Sequence, residues 1–266
     1  MRSGNGGCRM RRVLVLGGTG EARGLAERLA ADSRLHVTYS LAGRVREPRT
    51  PVGEVRVGGF GGPDGLADWL RREQVEAVVD ATHPFAGGIT ANAVEAAGRT
   101  GVPVLLLRRP GWQPGPGDDW HHVASLPEAA ALLPGLGNRV FLTTGRQGLS
   151  HFAALDLWFL VRTVDPPEPP LPAHTTTLLA RGPFAVEDEL ALLREHRIDV
   201  VVTKDSGGTM TAAKLTAARE LGLPVVVVRR PEPPTAPTAD TVDDAVRWLE
   251  SVLGTRDPAE EHPHAG

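Results

Sequence analysis

The chain has 266 residues, with 29 basic and 32 acidic side chains, a formal net charge of −3 and an apolar share of 41%. That share suits an ordinary globular core, and the 31 glycines and 23 prolines, about a fifth of the chain, stay below the level that marks low-complexity sequence. A slightly acidic chain has no overall pull on a phosphate backbone, which argues against nucleic acid as a partner; no apolar run approaches the roughly 20 residues of a membrane span, and the lone Cys8 has no partner for an internal disulfide.

Residues 1–9 and 255–266 read as flexible tails, with Met10 as an alternative start. The N-terminal arginines are not followed by an apolar stretch ending in a cleavage site, so a secretory signal is not expected and a cytoplasmic protein is. From Arg12 onward, short Val- and Leu-rich runs alternate with segments of helical period, the pattern of repeated βα units and a parallel sheet. Strands are expected at 13–16, 36–40, 54–57, 77–80 and 104–107, with helices at 21–31, 63–73 and 87–100 between them. In the first helix Ala22, Leu25, Ala26 and Leu29 share one face at spacings of three and four. A Gly-, Pro- and Trp-rich stretch at 110–119 interrupts the rhythm, and a short helix at 127–133 precedes Gly135, Gly137 and Asn138. The second half restarts with strands at 140–143, 158–161, 200–203 and 225–228 and helices at 183–196, 209–221 and 241–253. Five prolines within 165–172 make that stretch a stiff, extended excursion. Two α/β domains are therefore expected, residues 10–136 and 137–254, with parallel sheets facing a shared cleft.

In open α/β sheets ligands lie beyond the carboxyl ends of the strands, so the turns after each strand carry the functional reading. The first is Gly17-Gly18-Thr19-Gly20, followed by Glu21. Glycines let a backbone approach a pyrophosphate, and the amides opening the next helix attract it; Glu21 puts a carboxylate where a phosphate would sit. After the second strand comes Gly43-Arg44-Val45-Arg46, with no acid before Glu47; arginines there suit a 2′-phosphate, hence NADP(H) over NAD(H). The short-chain dehydrogenase reading of the glycine turn needs Tyr-x-x-x-Lys, and the only tyrosine, Tyr39, is followed four places on by Gly43. The fourth strand runs into Asp80-Ala81-Thr82-His83-Pro84, which puts hydrogen-bonding side chains at the sheet edge, with Pro84 fitting the first turn of the next helix. In the second half, Thr143-Thr144-Gly145-Arg146 again ends a strand. Lys204 and Lys214 are the only lysines, and both fall on one strand-turn-helix unit, around Asp205 and Ser206. Lys214, early in its helix, conflicts with the helix dipole unless an anion is near. No metal site is expected: His121 with His122, and His262 with His264, lack a third ligand at useful spacing. A nucleophile elbow is absent.

Taken together and in this order, LGGTGEAR, SLAGR, DATHPFA, LTTGR and TKDSGG followed by Lys214-Leu215 resemble the precorrin-6A reductase family of cobalamin biosynthesis, from about Arg12 to Leu253. The resemblance implies two Rossmann-like domains, the first binding NADP(H) and the second the substrate. It also implies NADPH as reductant and reduction of the precorrin-6A macrocycle to precorrin-6B. Cofactor binding then falls to Gly17, Gly18, Thr19, Gly20, Glu21, Arg44, Arg46 and Thr82. The carboxylates of the tetrapyrrole fall to His83, Thr144, Arg146, Lys204, Ser206 and Lys214, with His83 and Asp205 as candidate proton donors. A monomer or weak homo-oligomer is expected. The alternatives are a two-domain sensor that binds NADP(H) or a phosphometabolite without turnover, and a phosphosugar isomerase or transferase on the same fold.

Overall fold

The computed structural model describes residues 9–43 and 53–254. Cys8, Arg44, Arg46, Glu47 and both histidines of the C-terminal tail lie outside them. The first unit holds two six-residue and seven-residue strands, β1 (Arg11–Leu16) and β2 (Leu35–Leu41), then β3 (Glu54–Val57), β4 (Ala77–Asp80) and β5 (Val104–Leu107). Helices α1 (Gly20–Ala30), α2 (Gly62–Arg72) and α3 (Gly87–Thr100) connect them. The second unit contains β6 (Trp120–Val123), α4 (Leu126–Leu132), β7 (Arg139–Leu142), β8 (Trp158–Thr163), β9 (His174–Leu179), α5 (Val186–Glu195), β10 (Val200–Lys204), α6 (Ala213–Glu220) and β11 (Val225–Val228). The chain then supplies β12 (Thr238–Ala239) and α7 (Val242–Leu253).

Each unit is built on a six-stranded parallel sheet. The first has the order β12-β5-β4-β1-β2-β3, the second β6-β11-β10-β7-β8-β9. Both follow one plan, with two strands on one side of β1 or β7 and three on the other. The sixth strand of each, however, comes from the other half of the sequence. β6 follows β5 in the chain yet pairs with β11, and β12 follows β11 yet pairs with β5. The compact units are accordingly residues up to Arg109 together with those from Glu232 onward, and Pro110–Pro231. The boundary expected at 136/137 is thus displaced, because segment 110–136 carries a strand of the second sheet and segment 232–254 returns to the first.

Central strands are covered on both faces, which is why they read as unbroken apolar runs: β1 ends in four buried residues and β4, β10 and β11 are buried along most or all of their length. On one face of the first sheet α1 and α7 contribute Ala22, Leu25, Ala26, Leu29, Ala245, Leu249 and Leu253 to a shared core. On the other face α2 and α3 contribute Leu66, Trp69, Leu70, Ala93 and Ala96. In the second unit Leu193 of α5 and Leu215, Ala217 and Ala218 of α6 pack on Phe141, Leu160 and Val201. Helix ends follow local chemistry. Thr19, Ser125 and Thr241 cap α1, α4 and α7 with side-chain oxygens, and Gly101 and Gly254 end α3 and α7 in left-handed conformations. Among the described residues no helix is long and apolar enough to cross a membrane.

Candidate functional site

The strand order of the first sheet reverses between β1 and β4, the place where doubly wound sheets bind ligands. The turns that follow these two strands are bonded to each other. Thr19 Oγ1 accepts from the Ala22 N–H at 3.1 Å, capping α1, and donates to the Ala81 carbonyl at 2.7 Å. Gly17 has no room for a side chain, since a Cβ there would lie 2.2 Å from the Tyr39 ring. Gly18 has φ +121°, nothing lies within 4 Å of the position its Cβ would take, and its N–H donates to the Tyr39 hydroxyl at 3.0 Å. Burial raises the pKa of that phenol, so Tyr39 stays a neutral buttress under the turn.

Glu21 does not stand over the turn as a lone charge. Arg109, two residues past β5, pairs with its carboxylate, and both side chains are largely shielded. After β4, the buried Asp80 accepts from the Thr82 N–H at 3.0 Å and the Thr82 hydroxyl at 2.7 Å, closing a tight turn. Arg108 donates to the Pro84 carbonyl at 2.9 Å; burial lowers the pKa of its guanidinium and the charge of Asp80 counteracts this. His83 Nδ1 accepts from the Phe85 N–H at 3.3 Å, so the neutral ring carries its proton on Nε2. α3 spans Gly87–Thr100, as its pattern suggested, so Pro84 stands ahead of its first turn, in a turn closed by the Ala86 N–H on the His83 carbonyl. One end of the sheet thus gathers Gly17, Gly18, Thr19, Gly20, Glu21, Thr82 and His83, while Arg44 and Arg46 lie outside the described residues.

In the second sheet the corresponding reversal lies between β7 and β10. Thr144 and Arg146 follow β7, Lys204 is the last residue of β10, and Asp205 and Ser206 follow it. The Thr144 and Thr163 hydroxyls, each two residues beyond the paired Leu142 and Val161, are buried and make no hydrogen bond. Lys204 is half-buried, which lowers its pKa.

Two expectations change here. Asp205 was expected as a proton donor, but Oδ1 accepts from the Trp112 N–H at 3.0 Å and Oδ2 lies 3.3 Å from Arg230 Nε, so both oxygens are engaged in holding the loop. Lys214 was expected to meet substrate, but it is 2% exposed. Its Nζ donates to the Thr211 carbonyl at 2.6 Å and sits 4.7 Å from the centroid of the Trp112 ring. Burial, with a smaller contribution from Arg162, brings its pKa down to about 7, and Glu189 partly offsets this. The anion that its helix position calls for is therefore internal. Glu189 itself is buried in a two-pronged pair with Arg162, whose guanidinium also lies over the Phe184 ring at 3.8 Å.

Sequence reasoning missed Tyr39, Arg108, Arg109, Trp112 and Arg230 as parts of these sites. A signal was present. Leu107-Arg108-Arg109-Pro110 and Val228-Arg229-Arg230-Pro231 repeat the same Arg-Arg-Pro after the fifth strand of each sheet. In both, the first arginine donates its N–H to the sixth strand, Arg108 to Ala239 and Arg229 to Val123, and the second braces an acid beyond a central strand, Glu21 or Asp205.

Two doubly wound parallel sheets, one with a capped glycine turn at its reversal point, define a Rossmann-like protein of two units. A family model described as precorrin-6x reductase CbiJ/CobK matches residues 12–250. The chain belongs to that family and is an oxidoreductase of cobalamin biosynthesis, as the motif resemblance implied. It is 60% identical to a precorrin-6A reductase from Rhodococcus erythropolis, over 90% of this chain and 98% of that one. It is 33% identical to a cobalt-precorrin-6A reductase from Methanothermobacter thermautotrophicus, over 83% of this chain and 76% of the other. Among solved structures, one titled CobK precorrin-6A reductase superposes with a TM-score of 0.86 at 45% identity, covering 91% of this chain and 97% of its own.

Proposed function

We propose that this protein reduces precorrin-6A to precorrin-6B with NADPH, in the cytoplasm, the first unit holding the cofactor and the second the carboxylates of the macrocycle. The observation that carries the reading is the turn after β1. Open space over Gly18, the cap by Thr19 and the amides that open α1 make a cradle for a pyrophosphate, and Arg109 cancels the charge of Glu21 that would repel it. Preference for the 2′-phosphate rests on Arg44 and Arg46. Bound there, NADPH supplies a hydride to a conjugated carbon of the ring system.

The residues of the chain bind, orient and move a proton. Arg146 and Lys204 offer charge to carboxylates, and Ser206 adds a hydroxyl. The buried hydroxyls of Thr144 and Thr163 are donors that lack an acceptor, and a buried polar group without a partner calls for one. His83 is the donor for the centre next to the reduced carbon, giving the Nε2 proton from its imidazolium form, since the neutral ring is too weak an acid. The higher identity to a relative named for precorrin-6A than to one named for cobalt-precorrin-6A supports a metal-free substrate.

The test is to mix the protein with NADPH and metal-free precorrin-6A and follow the near-ultraviolet absorbance of the dihydronicotinamide. It is expected to fall with NADPH far faster than with NADH, and faster than with the cobalt-loaded substrate. Saturable NADPH binding with constant absorbance would instead identify a sensor.

A further inference from the structure

The segment that follows Arg109 lies on the loop that follows β10, and its contacts are unusually close. A Cβ on Gly111 would lie 2.5 Å from Asp205 Oδ2, and one on Gly207 would lie 2.2 Å from the Pro110 carbonyl oxygen. Gly207 and Gly208 are both left-handed, at φ +64° and +69°, a pair that leaves the loop without helix or strand bonds of its own. Beyond the Ser206 N–H on the Lys204 carbonyl at 2.7 Å and the Ala212 N–H on the Thr209 carbonyl at 3.2 Å, the bonds that fix it come from outside it. Trp112 donates its backbone N–H to Asp205 Oδ1 at 3.0 Å and its indole Nε1–H to the Gly208 carbonyl at 2.7 Å. Arg230 donates from Nε to the Asp205 carbonyl at 2.9 Å and from Nη2 to the Pro110 carbonyl at 3.2 Å. Beneath the indole, the Lys214 ammonium meets the ring face, so the side chain is fixed at its edge and its face together.

We propose that Trp112 is a positioning residue for the substrate: through Asp205 and Gly208 it holds the loop in the one conformation that presents Lys204 and Ser206 to a carboxylate. This rests on the reading that the second unit receives the macrocycle. Trp112 touches no reacting atom in this account. Its work is to keep a two-glycine loop from sampling other shapes, which would lower the fraction of protein competent to bind. Both ends of the clamp are specific, because Gly111 and Gly207 leave no space for a looser arrangement.

The test uses the full chain with NADPH and precorrin-6A. Trp112→Phe keeps the ring over Lys214 and the backbone N–H to Asp205 and removes only the indole donor, leaving the Gly208 carbonyl unpaired. The Michaelis constant for precorrin-6A is expected to rise about tenfold, while kcat and the Michaelis constant for NADPH stay within about twofold of the parent. Gly111→Ala, which drives a methyl against Asp205, is a second variant with the same expected selectivity. Lys204→Ala is measured beside them. An unchanged precorrin-6A constant in Trp112→Phe with a raised one in Lys204→Ala overturns the clamp alone. Unchanged constants in both overturn the placement of the substrate in this unit as well. Equal losses toward both substrates would show a general loss of structure and also overturn the proposal.

Discussion

Arg109 resolves a conflict written into the glycine turn. A carboxylate at the second position of α1 would oppose a pyrophosphate, and the guanidinium that neutralises it comes from 88 residues away. Arg109→Ala is therefore expected to weaken NADPH binding about tenfold, because Glu21 regains its repulsion. Glu21→Gln in the same chain should recover most of that loss, and a double-mutant cycle on titrated affinities should show a coupling of about 1–3 kcal/mol. Strict additivity of the two changes would sink the idea. The distances along the chain also explain what could be read at this scale. Thr19 caps its own helix at Ala22 and Thr82 bonds back to Asp80, contacts that follow from spacing, whereas the Gly17 and Gly18 contacts with Tyr39 and the Thr19 bond to Ala81 cross between strands. Arg109 and Trp112 act on Glu21 and on Asp205, the latter 93 residues distant, and spacing along a sequence carries no trace of such a pairing.

At the scale of elements, nine strands were legible, eight of them because sheets covered on both faces demand continuous apolar runs and β3, an edge, from the alternation of its Val55 and Val57 with charged residues. The three that escaped, β6, β9 and β12, are all sheet edges. An edge has one neighbour and less cover. β9 is largely exposed, β6 carries two histidines, and β12 is a two-residue pairing in a proline-rich stretch. Two helix starts slipped: α5 and α6 begin three and four residues later than their patterns suggest, at Val186 and Ala213, each without a capping side chain. The late start of α6 leaves Lys214 as its second residue, facing inward. Around it stand Arg162 of β8, Glu189 of α5, the Trp112 ring and the Thr211 carbonyl. Its pKa of about 7 lies below the ordinary 10.5, so between these values the unfolded chain binds a proton that the folded one does not. Stability should then rise with pH across that window, by up to about 1.4 kcal/mol per pH unit, with the cost of charging the amine fully present below it and gone above it. Lys214→Met, which keeps the volume and drops the charge, is expected to flatten the slope in denaturant titrations taken across the window. A slope that survives the substitution would assign it to another group.

Over the whole molecule, the two-unit α/β architecture was legible and its boundary was not. The Gly-Pro stretch at 110–119 looks like an interruption within one domain, and the glycines at 135 and 137 look like a linker. Only pairing shows that the chain passes from one unit to the other after Leu107 and back after Val228. A single chain cut after Pro231 tests this. It loses β12 and α7, and with them Ala239, Ala245, Leu249 and Leu253 from the first core, while all six strands of the second sheet remain. Amide exchange is expected to show protection lost throughout β1, β4 and β5 and kept in β7, β10 and β11. Protection lost only near the cut would contradict it.

The same exchange of sixth strands sets a schedule for biosynthesis. β5 leaves the ribosome about 130 residues before the strand that flanks it, so at ordinary elongation rates its outer backbone edge stands open for roughly ten seconds. During that interval the nascent chain carries a ready template for association with its neighbours on a polysome, and its yield in a host should respond to slower translation or to chaperone supply more than the finished protein's stability would suggest.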